Sequence, residues 1–380
     1  MEPIYFDHAA TTRVLPEAAQ AALRAMTEEY GNPSSLYALG TRAAKALAAH
    51  REAVAQALGC QAGEVIFTSG GTEGDNWAIS LAAHLGRHRG KHIITTAVEH
   101  AAVLEPCKAL EAQGYQVTYL TPGPDGRVKV ADLEAALRPD TVLVSMMLVN
   151  NETGAIQPVK EAGQVLKRCR SQALLHTDAI QGFLKIPFTP KALGVDLLTV
   201  SGHKIGAMKG SGALYLRAGL RAVPLLRGGG QEKGLRSGTE PTPQIAALAA
   251  ACTLGKAALE GHQTYLTHLK TYALAAFQKA VPGLVVVAAG DAPHICAISL
   301  PGYPSQVVVR WLSDQGFCLS AGSACHRGQA SHVYAAMGLS KPVRDGMLRV
   351  SFGPENTQEE VDRLAQALGT ATQVLLPAGR

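Results

Sequence analysis

The sequence predicts an α/β fold with a large domain, built on a mostly parallel seven-stranded sheet, and a smaller α+β domain. Short apolar strands alternate with helical segments from residue 64 to residue 216, which is typical of a parallel sheet covered by helices. The strands are apolar almost throughout, as expected when both faces are buried. A glycine-rich segment at 227–239 then ends this alternation. We assign residues 16–242 to the large domain and residues 1–15 and 243–380 to the small domain.

The chain begins with an extended arm over residues 1–15. Pro16 suits the first position of a helix that runs to about residue 30, because its fixed φ is helical and a free N–H is not needed there. A second helix is predicted over 41–58 from the spacing of its apolar residues.

Seven strands and their helices follow. The strands are predicted at 65–68, 92–95, 116–120, 141–149, 174–177, 196–200 and 213–216, with helices after residue 73, over 101–113 and from Pro158. The small domain should contain a long alanine-rich helix from about Pro243, strands near 284–287, 295–299 and 348–351, a helix from Gln306, a loop over 319–329 and a final helix from about Thr357.

Composition and charge exclude several classes of protein. A net charge of +5, from 35 basic and 30 acidic residues that are scattered along the chain, does not favour nucleic-acid binding. The seven cysteines contain no CxxC pair, so neither a disulfide framework nor a metal site is predicted. The first residues lack a signal-peptide pattern, and no apolar run reaches the roughly 18 residues of a membrane span. We therefore expect a cytoplasmic protein without membrane contact.

The strand that ends near residue 200 leads into Ser201, Gly202, His203 and Lys204. A lysine desolvated at a strand end is a nucleophile that can form a Schiff base with an aldehyde such as pyridoxal phosphate. The hydroxyl of Ser201 and the imidazole of His203 would suit the phosphate. The alternative is a lysine whose amine simply extends to solvent.

Other polar residues follow the neighbouring strands, and ligands bind at the carboxyl ends of strands in such sheets. Gly71 and Thr72 open a helix, where free N–H groups favour an anion, although glycines there can also serve only the turn. His100 could cap a helix, or it could stack on an aromatic cofactor and move protons. Asn151 could equally be a turn residue.

Asp178 ends the strand at 174–177, where burial of an unpaired carboxylate would be costly. The protonated pyridine nitrogen of pyridoxal phosphate would be a suitable partner, and the charge on that nitrogen makes the ring an electron sink. Gln181, one turn later, could hydrogen-bond the ring hydroxyl. Because Asp178 and Lys204 end neighbouring strands, together they favour a cofactor site.

Two further residues could carry chemistry outside the large sheet. Cys325 lies among small and polar residues, and the adjacent His326 and Arg327 could favour its thiolate, the nucleophilic form. Arg349, flanked by strand residues, could hold a substrate carboxylate through two hydrogen bonds, or it could pair with an internal acid.

Taken in order, these residues resemble the class I cysteine desulfurases of the NifS/IscS type. The likeness covers nearly the whole chain and rests on YFDHAATT at 5–12, GNPSS at 31–35, FTSGGTE at 67–73, VNNETG at 149–154, HTDA at 176–179, SGHK at 201–204, RSGT at 236–239 and SAC at 323–325.

The resemblance implies a fold-type I pyridoxal phosphate enzyme that acts as a homodimer. It implies that Lys204 forms the Schiff base, His100 stacks on the ring and Asp178 pairs with the pyridine nitrogen. The other implied cofactor ligands are Asn151 and Gln181 at the ring hydroxyl and Gly71, Thr72, Ser201 and His203 at the phosphate, joined by Thr239 of the partner subunit. For the substrate it implies Asn151 and Arg349.

The implied reaction converts L-cysteine to L-alanine and leaves a persulfide on Cys325, from which an acceptor such as an iron–sulfur scaffold protein collects sulfur for cluster assembly. The chain departs from the family at 207–210, where AMKG replaces the usual GPKG, and in a shorter loop after Cys325. Selenocysteine lyase, another pyridoxal phosphate lyase or aminotransferase, and a non-catalytic scaffold for sulfur carriers are the alternatives. Transient binding of an iron–sulfur cluster by Cys325 stays open.

Overall fold

The computed structural model describes residues 3–288, 290–322 and 331–377. The strands are β1 (Ile4–Tyr5), β2 (Val65–Thr68), β3 (His92–Thr96), β4 (Gln116–Leu120), β5 (Thr141–Ser145), β6 (Leu174–Asp178), β7 (Leu197–Ser201), β8 (Gly212–Leu216), β9 (Val285–Val286), β10 (Ile295–Ser299), β11 (Phe317–Cys318) and β12 (Met347–Ser351). The helices are α1 (Pro16–Thr27), α2 (Ala38–Leu58), α3 (Gly71–Gly86), α4 (Ala101–Glu111), α5 (Val130–Ala136), α6 (Val159–Arg168), α7 (Pro190–Leu193), α8 (Thr242–Ala280), α9 (Ser305–Asp314), α10 (His332–Ala336), α11 (Lys341–Asp345) and α12 (Gln358–Val374).

The predicted seven-stranded, mostly parallel sheet is confirmed, with the order β2-β8-β7-β6-β5-β3-β4. Only β8 runs against the other strands, since it pairs antiparallel with both β2 and β7. It follows β7 through a short connection, which allows antiparallel but not parallel pairing. The carboxyl ends of the other strands therefore meet at one edge of the sheet.

The fourth predicted strand is shorter than expected, because β5 ends at Ser145 rather than at residue 149. The chain nevertheless continues beside β6, since the N–H of Leu148 donates to the carbonyl of Asp178 at 2.8 Å. Asn150 then closes a turn by accepting hydrogen bonds from the N–H groups of Glu152 and Thr153. The turn interpretation of these asparagines is thus confirmed, with Asn150 as the residue that holds the turn.

Two apolar clusters of the described residues share the long helix α8. Its first part, which includes Ile245 and Cys252, packs in the core of the large sheet. Its second part, which includes Leu266 and Phe277, packs against β10, β12 and α12. Because α8 contributes to both cores, the division at residues 242 and 243 stays a proposal.

The N-terminal arm is anchored to the far end of the chain. Ile4 pairs with Phe317 in the parallel sheet of β1 and β11, and the N–H of Ser351 donates to the carbonyl of Phe6 at 2.8 Å. Phe6 is fully buried in the second core. The arm is therefore an integral part of the fold, and it lies beside the carboxyl-end edge of the large sheet.

Of the helices in the described ranges, none has the length and apolar character needed to cross a membrane. The elements that the sequence patterns missed are short. They include the two-residue strands β1 and β11 and the helices α7, α10 and α11, which have four or five residues. Such segments are too short to show a periodic apolar pattern.

Candidate active site

A cavity of about 240 Å³ lies at the carboxyl-end edge of the large sheet. Ten of the residues singled out in the sequence contribute to its wall: Gly71, Thr72, His100, Asn151, Asp178, Gln181, Ser201, His203, Lys204 and Arg349. Ala9 and Ala10 of the N-terminal arm line the same cavity. The arm was not expected there, because its two alanines carry no chemical signal in the sequence.

Lys204 ends the tight turn that follows β7, and its amine is held at the cavity. Nζ donates to the carbonyl oxygens of Ala9 at 2.7 Å and Ala10 at 2.6 Å. These two acceptors replace part of the hydration that an amine loses on burial. The alternative of a lysine extended into solvent is therefore wrong for this chain.

Asp178 is the last residue of β6 and is only 5% exposed. Its Oδ1 accepts a hydrogen bond from the N–H of Ile180 at 2.9 Å. Burial raises the pKa of this carboxyl, while the Ile180 N–H and the charges of His100 and Lys204 oppose the rise. Cationic groups at the cavity thus favour the ionised form, as would a protonated nitrogen on a ligand.

Gly71 opens helix α3 where the helix meets the sheet. A Cβ added to Gly71 would lie 2.0 Å from Cδ1 of Ile180, so any larger residue would require the Ile180 side chain to move. The preceding Gly70 has a φ of +152°. The glycines therefore do serve the turn, and the turn also aims the amino end of a 16-residue helix at the cavity.

The groups beside this helix end suit an anion. Thr72 and Ser201 bring hydroxyls to the cavity wall, and His203 brings an imidazole. Nδ1 of His203 lies 3.2 Å from Oγ1 of Thr11. Burial, with a further effect of the charge on Lys204, lowers the pKa of His203 to about 4. This ring is therefore a neutral hydrogen-bonding group at physiological pH.

His100 is both a helix cap and a cavity residue. Its Nδ1 accepts a hydrogen bond from the N–H of Ala102 at 3.1 Å, at the start of α4. A nitrogen that accepts carries no proton, so in the neutral ring the proton is on Nε2. The capping interpretation is thus confirmed, and the same ring contributes to the wall of the cavity.

Arg349 lies in the middle of β12 and is 1% exposed. Its Nη2 donates to Oδ1 of Asp7 at 2.8 Å, and Nη1 donates to the carbonyl of Asn151 at 2.9 Å. The pairing with an internal acid is therefore confirmed, and the role of Arg349 toward a substrate carboxylate stays a prediction. Nε of Arg349 is also buried, and it has no hydrogen-bond partner among the described residues.

Asp7 was missed in the sequence as a functional residue. While Oδ1 of Asp7 accepts from Arg349, its other oxygen, Oδ2, accepts a hydrogen bond from the hydroxyl of Ser320 at 2.7 Å. Asp7 therefore fixes both Ser320 and Arg349. The available signal was the buried arginine itself, since a guanidinium inside a core requires an acid.

Among the described site residues, Thr239 is not part of this wall. Thr239 is exposed in the glycine-rich segment, and its place in the site of a partner subunit stays a prediction. Cys325 lies outside the described residues. The glycine-rich segment itself is tied to α2 and to the large sheet, because Glu232 accepts two short hydrogen bonds from the guanidinium of Arg51 and one from the N–H of Phe67 in β2.

A second group of polar residues is fully buried and does not contribute to the cavity wall. Asp75 of α3 lies 3.5 Å from Nε2 of His176, and neither of its oxygens makes a hydrogen bond of normal geometry within the described ranges. Burial raises the pKa of Asp75 well above its usual range, and the charge of Asp178 raises it further. Burial lowers the pKa of His176 to about 3, so this histidine is neutral.

Glu99 belongs to the same buried group. Its Oε1 accepts from the hydroxyl of Thr96 at 2.7 Å and from the N–H of Met147 at 2.8 Å. Burial raises the pKa of Glu99 to about 8. Glu99 is therefore mostly protonated at pH 7, and burial favours the neutral form of Asp75 as well. Neither residue had been expected from the sequence to be buried.

The donor set of the cavity fits pyridoxal phosphate. The helix end with Thr72, Ser201 and His203 offers N–H and O–H donors for a phosphate. A buried carboxylate, Asp178, offers a partner for a pyridinium nitrogen. A lysine amine lies on the same wall, within reach of an aldehyde on a ligand of this size.

Comparisons with known proteins agree with this geometry. Residues 4–364 match the family described as Aminotransferase class-V. The chain is 40% identical over 390 residues to "Cysteine desulfurase IscS" of Methanosarcina thermophila, in an alignment that covers 98% of this chain and 92% of that protein. It is 42% identical over 374 residues to "Cysteine desulfurase" of Trichormus azollae, covering 97% and 92%. A solved structure titled "NIFS-LIKE PROTEIN" superposes with a TM-score of 0.93 at 35% identity, covering 98% of this chain and all of that one.

Proposed function

The chain belongs to the class-V aminotransferase family, and from this membership we propose that it is a pyridoxal phosphate-dependent cysteine desulfurase. It converts L-cysteine to L-alanine and transfers the sulfur atom to the thiol of Cys325. The atoms balance, because cysteine minus one sulfur is alanine and a thiol plus one sulfur is a persulfide. The observation that carries the proposal is the single cavity that unites Lys204, Asp178 and Arg349.

Bound pyridoxal phosphate supplies an electron sink conjugated to the amine of the substrate. The residues that would hold it are Asp178 at the pyridine nitrogen, Gln181 and Asn151 at the ring hydroxyl, and Gly71, Thr72, Ser201 and His203 at the phosphate. His100 would lie against the ring. We further propose a homodimer in which Thr239 of the partner subunit completes the phosphate site.

Lys204 also acts as the general base that takes the proton from the substrate Cα. An amine that takes a proton becomes an ammonium with three donors. The carbonyls of Ala9 and Ala10 already accept hydrogen bonds from this nitrogen, so they stabilise the charged form after proton transfer. The N-terminal arm therefore supports the proton transfer through its backbone.

Arg349 binds the carboxylate of the substrate. Asp7 and the carbonyl of Asn151 fix the guanidinium, so a carboxylate meets an oriented cation. The buried Nε, which lacks a hydrogen-bond partner within the described ranges, supports this role because a carboxylate would supply one.

The persulfide on Cys325 hands its sulfur to an acceptor protein, such as an iron–sulfur scaffold, in the cytoplasm. This part of the proposal draws on the relatives, one of which is named cysteine desulfurase IscS. A thiol is the group that distinguishes desulfuration from aminotransferase chemistry, since an aminotransferase needs no sulfur acceptor.

Mass spectrometry of the protein after exposure to L-cysteine tests the proposal. We expect the peptide that contains Cys325 to gain the mass of one sulfur, with alanine released, and the Cys325→Ser variant to keep its cofactor and lose sulfide release. The exposed Cys169 provides a matched control, because Cys169→Ser should change neither result. An unmodified Cys325 peptide, or undiminished alanine production by Cys325→Ser, would refute the persulfide mechanism.

A further inference from the structure

The side-chain amide of Gln181 is held from two sides at the wall of the cavity. Its Nε2 donates to the carbonyl oxygen of Ala9 at 2.9 Å. Its Oε1 lies 3.4 Å from Nε2 of His294. Ala9 and Gln181 line the cavity, whereas His294 is not part of its wall.

These contacts determine the orientation of the Gln181 amide and the ring nitrogen of His294 that carries a proton. The carbonyl of Ala9 can only accept, so the amide group that faces it must be the NH₂ of Gln181. The amide oxygen then faces His294, and an oxygen of this kind also only accepts. Nε2 of His294 must therefore carry a proton, and Nδ1 is the unprotonated nitrogen of the neutral ring.

The surroundings of His294 agree with a ring that carries one proton. His294 is 1% exposed, and its Nδ1 has no hydrogen-bond partner among the described residues. Burial lowers the pKa of His294 well below its usual value, and the nearby Lys185, Lys270, His8 and Arg349 lower it further. A second proton on this ring would be an unpaired buried charge among cations.

We propose that His294 is a positioning residue of the cofactor cavity, whose Nε2–H holds the oxygen of Gln181 so that the amide NH₂ stays turned to the arm and the cavity. His294 precedes β10 and accepts at its own carbonyl from the N–H of Phe352 at 2.9 Å, so it is anchored in the second core. The second core thus orients a residue that follows β6 of the large sheet.

The carbonyl of Ala9 extends this chain of contacts to the lysine. It accepts from Nζ of Lys204 at 2.7 Å as well as from Gln181. If the Gln181 amide were rotated, its oxygen would face the carbonyl oxygen of Ala9, and both groups only accept hydrogen bonds. The rotated amide would also offer the cavity an acceptor instead of an N–H donor. The amide orientation therefore affects the acceptor that Lys204 uses.

This inference rests on the proposed function, because the ligand that meets Gln181 is taken to be pyridoxal phosphate. The amide NH₂ has a second hydrogen that can donate to the hydroxyl oxygen of the ring. Loss of the His294 donor would leave the Gln181 oxygen unpartnered in a buried place. The amide could then rotate away from the orientation that offers an N–H to the ring hydroxyl, and we expect a roughly tenfold loss of affinity.

Titration of the apoprotein with pyridoxal phosphate, followed by absorbance, measures this effect without any turnover. We expect His294→Leu to raise the Kd by roughly tenfold and His294→Gln, which retains an N–H donor of similar reach, to restore it to within about threefold of the wild type. Equal weakening in both variants, or none in His294→Leu, overturns the proposal.

His92 provides a matched control. It is also fully buried, with both ring nitrogens hydrogen-bonded, to Thr141 at 2.8 Å and to Thr118 at 2.9 Å, but it is not part of the cavity wall. His92→Leu should lower the thermal midpoint and leave the Kd for pyridoxal phosphate unchanged. A Kd raised as much by His92→Leu as by His294→Leu would show a general effect of burial and overturn the positioning role.

Nitrogen-15 NMR of the histidines in the wild-type apoprotein gives an independent answer, even if His294→Leu does not fold. We expect a proton on Nε2 of His294 between pH 6 and pH 8, and a proton on Nδ1 instead would overturn the proposal. Wild-type protein that fails to bind pyridoxal phosphate refutes the proposed function. Wild-type protein that binds it and desulfurates cysteine, beside a His294→Leu variant of equal affinity, refutes only the positioning role.

Discussion

Asp178 and Asp75 are both buried carboxyls whose pKa is raised by burial, but the groups around them differ. Asp178 faces the cavity, where His100 and Lys204 lower its pKa against the effect of burial. Asp75 lies beside the neutral His176, and the charge of Asp178 raises its pKa further. Burial favours the neutral form of a carboxyl, whereas nearby cations and N–H donors favour the ionised form. Of these two buried acids, Asp178 is the one with cationic neighbours, so it is the one suited to a protonated nitrogen of a ligand.

The largest expected effect comes from removing the cation at the cavity with Lys204→Ala. Activity should fall by roughly 10³-fold or more, because both the Schiff-base amine and the general base are lost. The visible absorbance of the bound cofactor should change as well. Release of alanine and the absorption spectrum measure these outcomes, with the exposed Lys209→Ala as the control. An unchanged spectrum would favour the non-catalytic scaffold.

The pair Asp178→Asn and Asp75→Asn tests the comparison directly. Asn at 178 removes a negative charge that faces the cavity, so activity should fall by roughly 10²-fold and cofactor affinity should drop. Burial raises the pKa of Asp75 and so favours its neutral form, which Asn resembles, and activity should therefore stay within about twofold. Steady-state rates and cofactor titration measure both. Similar losses in the two variants would show that Asp75 is also ionised.

Glu99→Gln sharpens the comparison through stability. Glu99 in the folded chain keeps its proton up to a pKa of about 8, whereas in the unfolded chain it ionises near pH 4.3. The folded state binds more protons in this window, so stability falls as the pH rises from about 4 to about 8. The slope is at most roughly 1.4 kcal/mol per pH unit.

Gln keeps the acceptor that Met147 and Thr96 use but cannot ionise. Urea unfolding at pH 5 and pH 8 should therefore show a smaller loss of stability for Glu99→Gln than for the wild type. An identical loss in both proteins would place the titrating group elsewhere.

Ser145→Ala should have the smallest effect. The hydroxyl of Ser145 lies 2.9 Å from Nδ1 of His176 in the fully buried group. Its removal should cost about 1 kcal/mol of unfolding free energy and leave the rate of desulfuration unchanged. A change in rate without a change in stability would connect this buried group to the cavity, against the distinction drawn here.

The sequence was informative where function follows the ends of strands. Lys204 and Asp178 each end an apolar run, and a parallel sheet brings such ends together. Arg349 indicated that an internal acid could pair with it, but not that this acid is Asp7, because 342 residues separate the two. The burial of Asp75 could not be predicted either, because in the sequence it is an ordinary polar residue of an amphipathic helix.

The length of the fourth predicted strand was also only partly predictable. Residues 146–149 are as apolar as a strand but run beside β6 without forming one, and they end in the turn at Asn150. A pattern of apolar residues reports burial rather than hydrogen bonding. Thr239 is proposed to act in a partner subunit, and Cys325 lies outside the described ranges, so both proposed roles rest on the resemblance.

The N-terminal arm has a consequence for the order of synthesis. Phe6 and Ala9 are synthesised well before Ser351, which holds both of them. The large sheet can begin to fold while translation continues, at a rate of roughly 5–20 residues per second. The carbonyls that hold Lys204 can reach their final place only once β12 has been made, so the cavity matures after the strands of the large sheet have been synthesised.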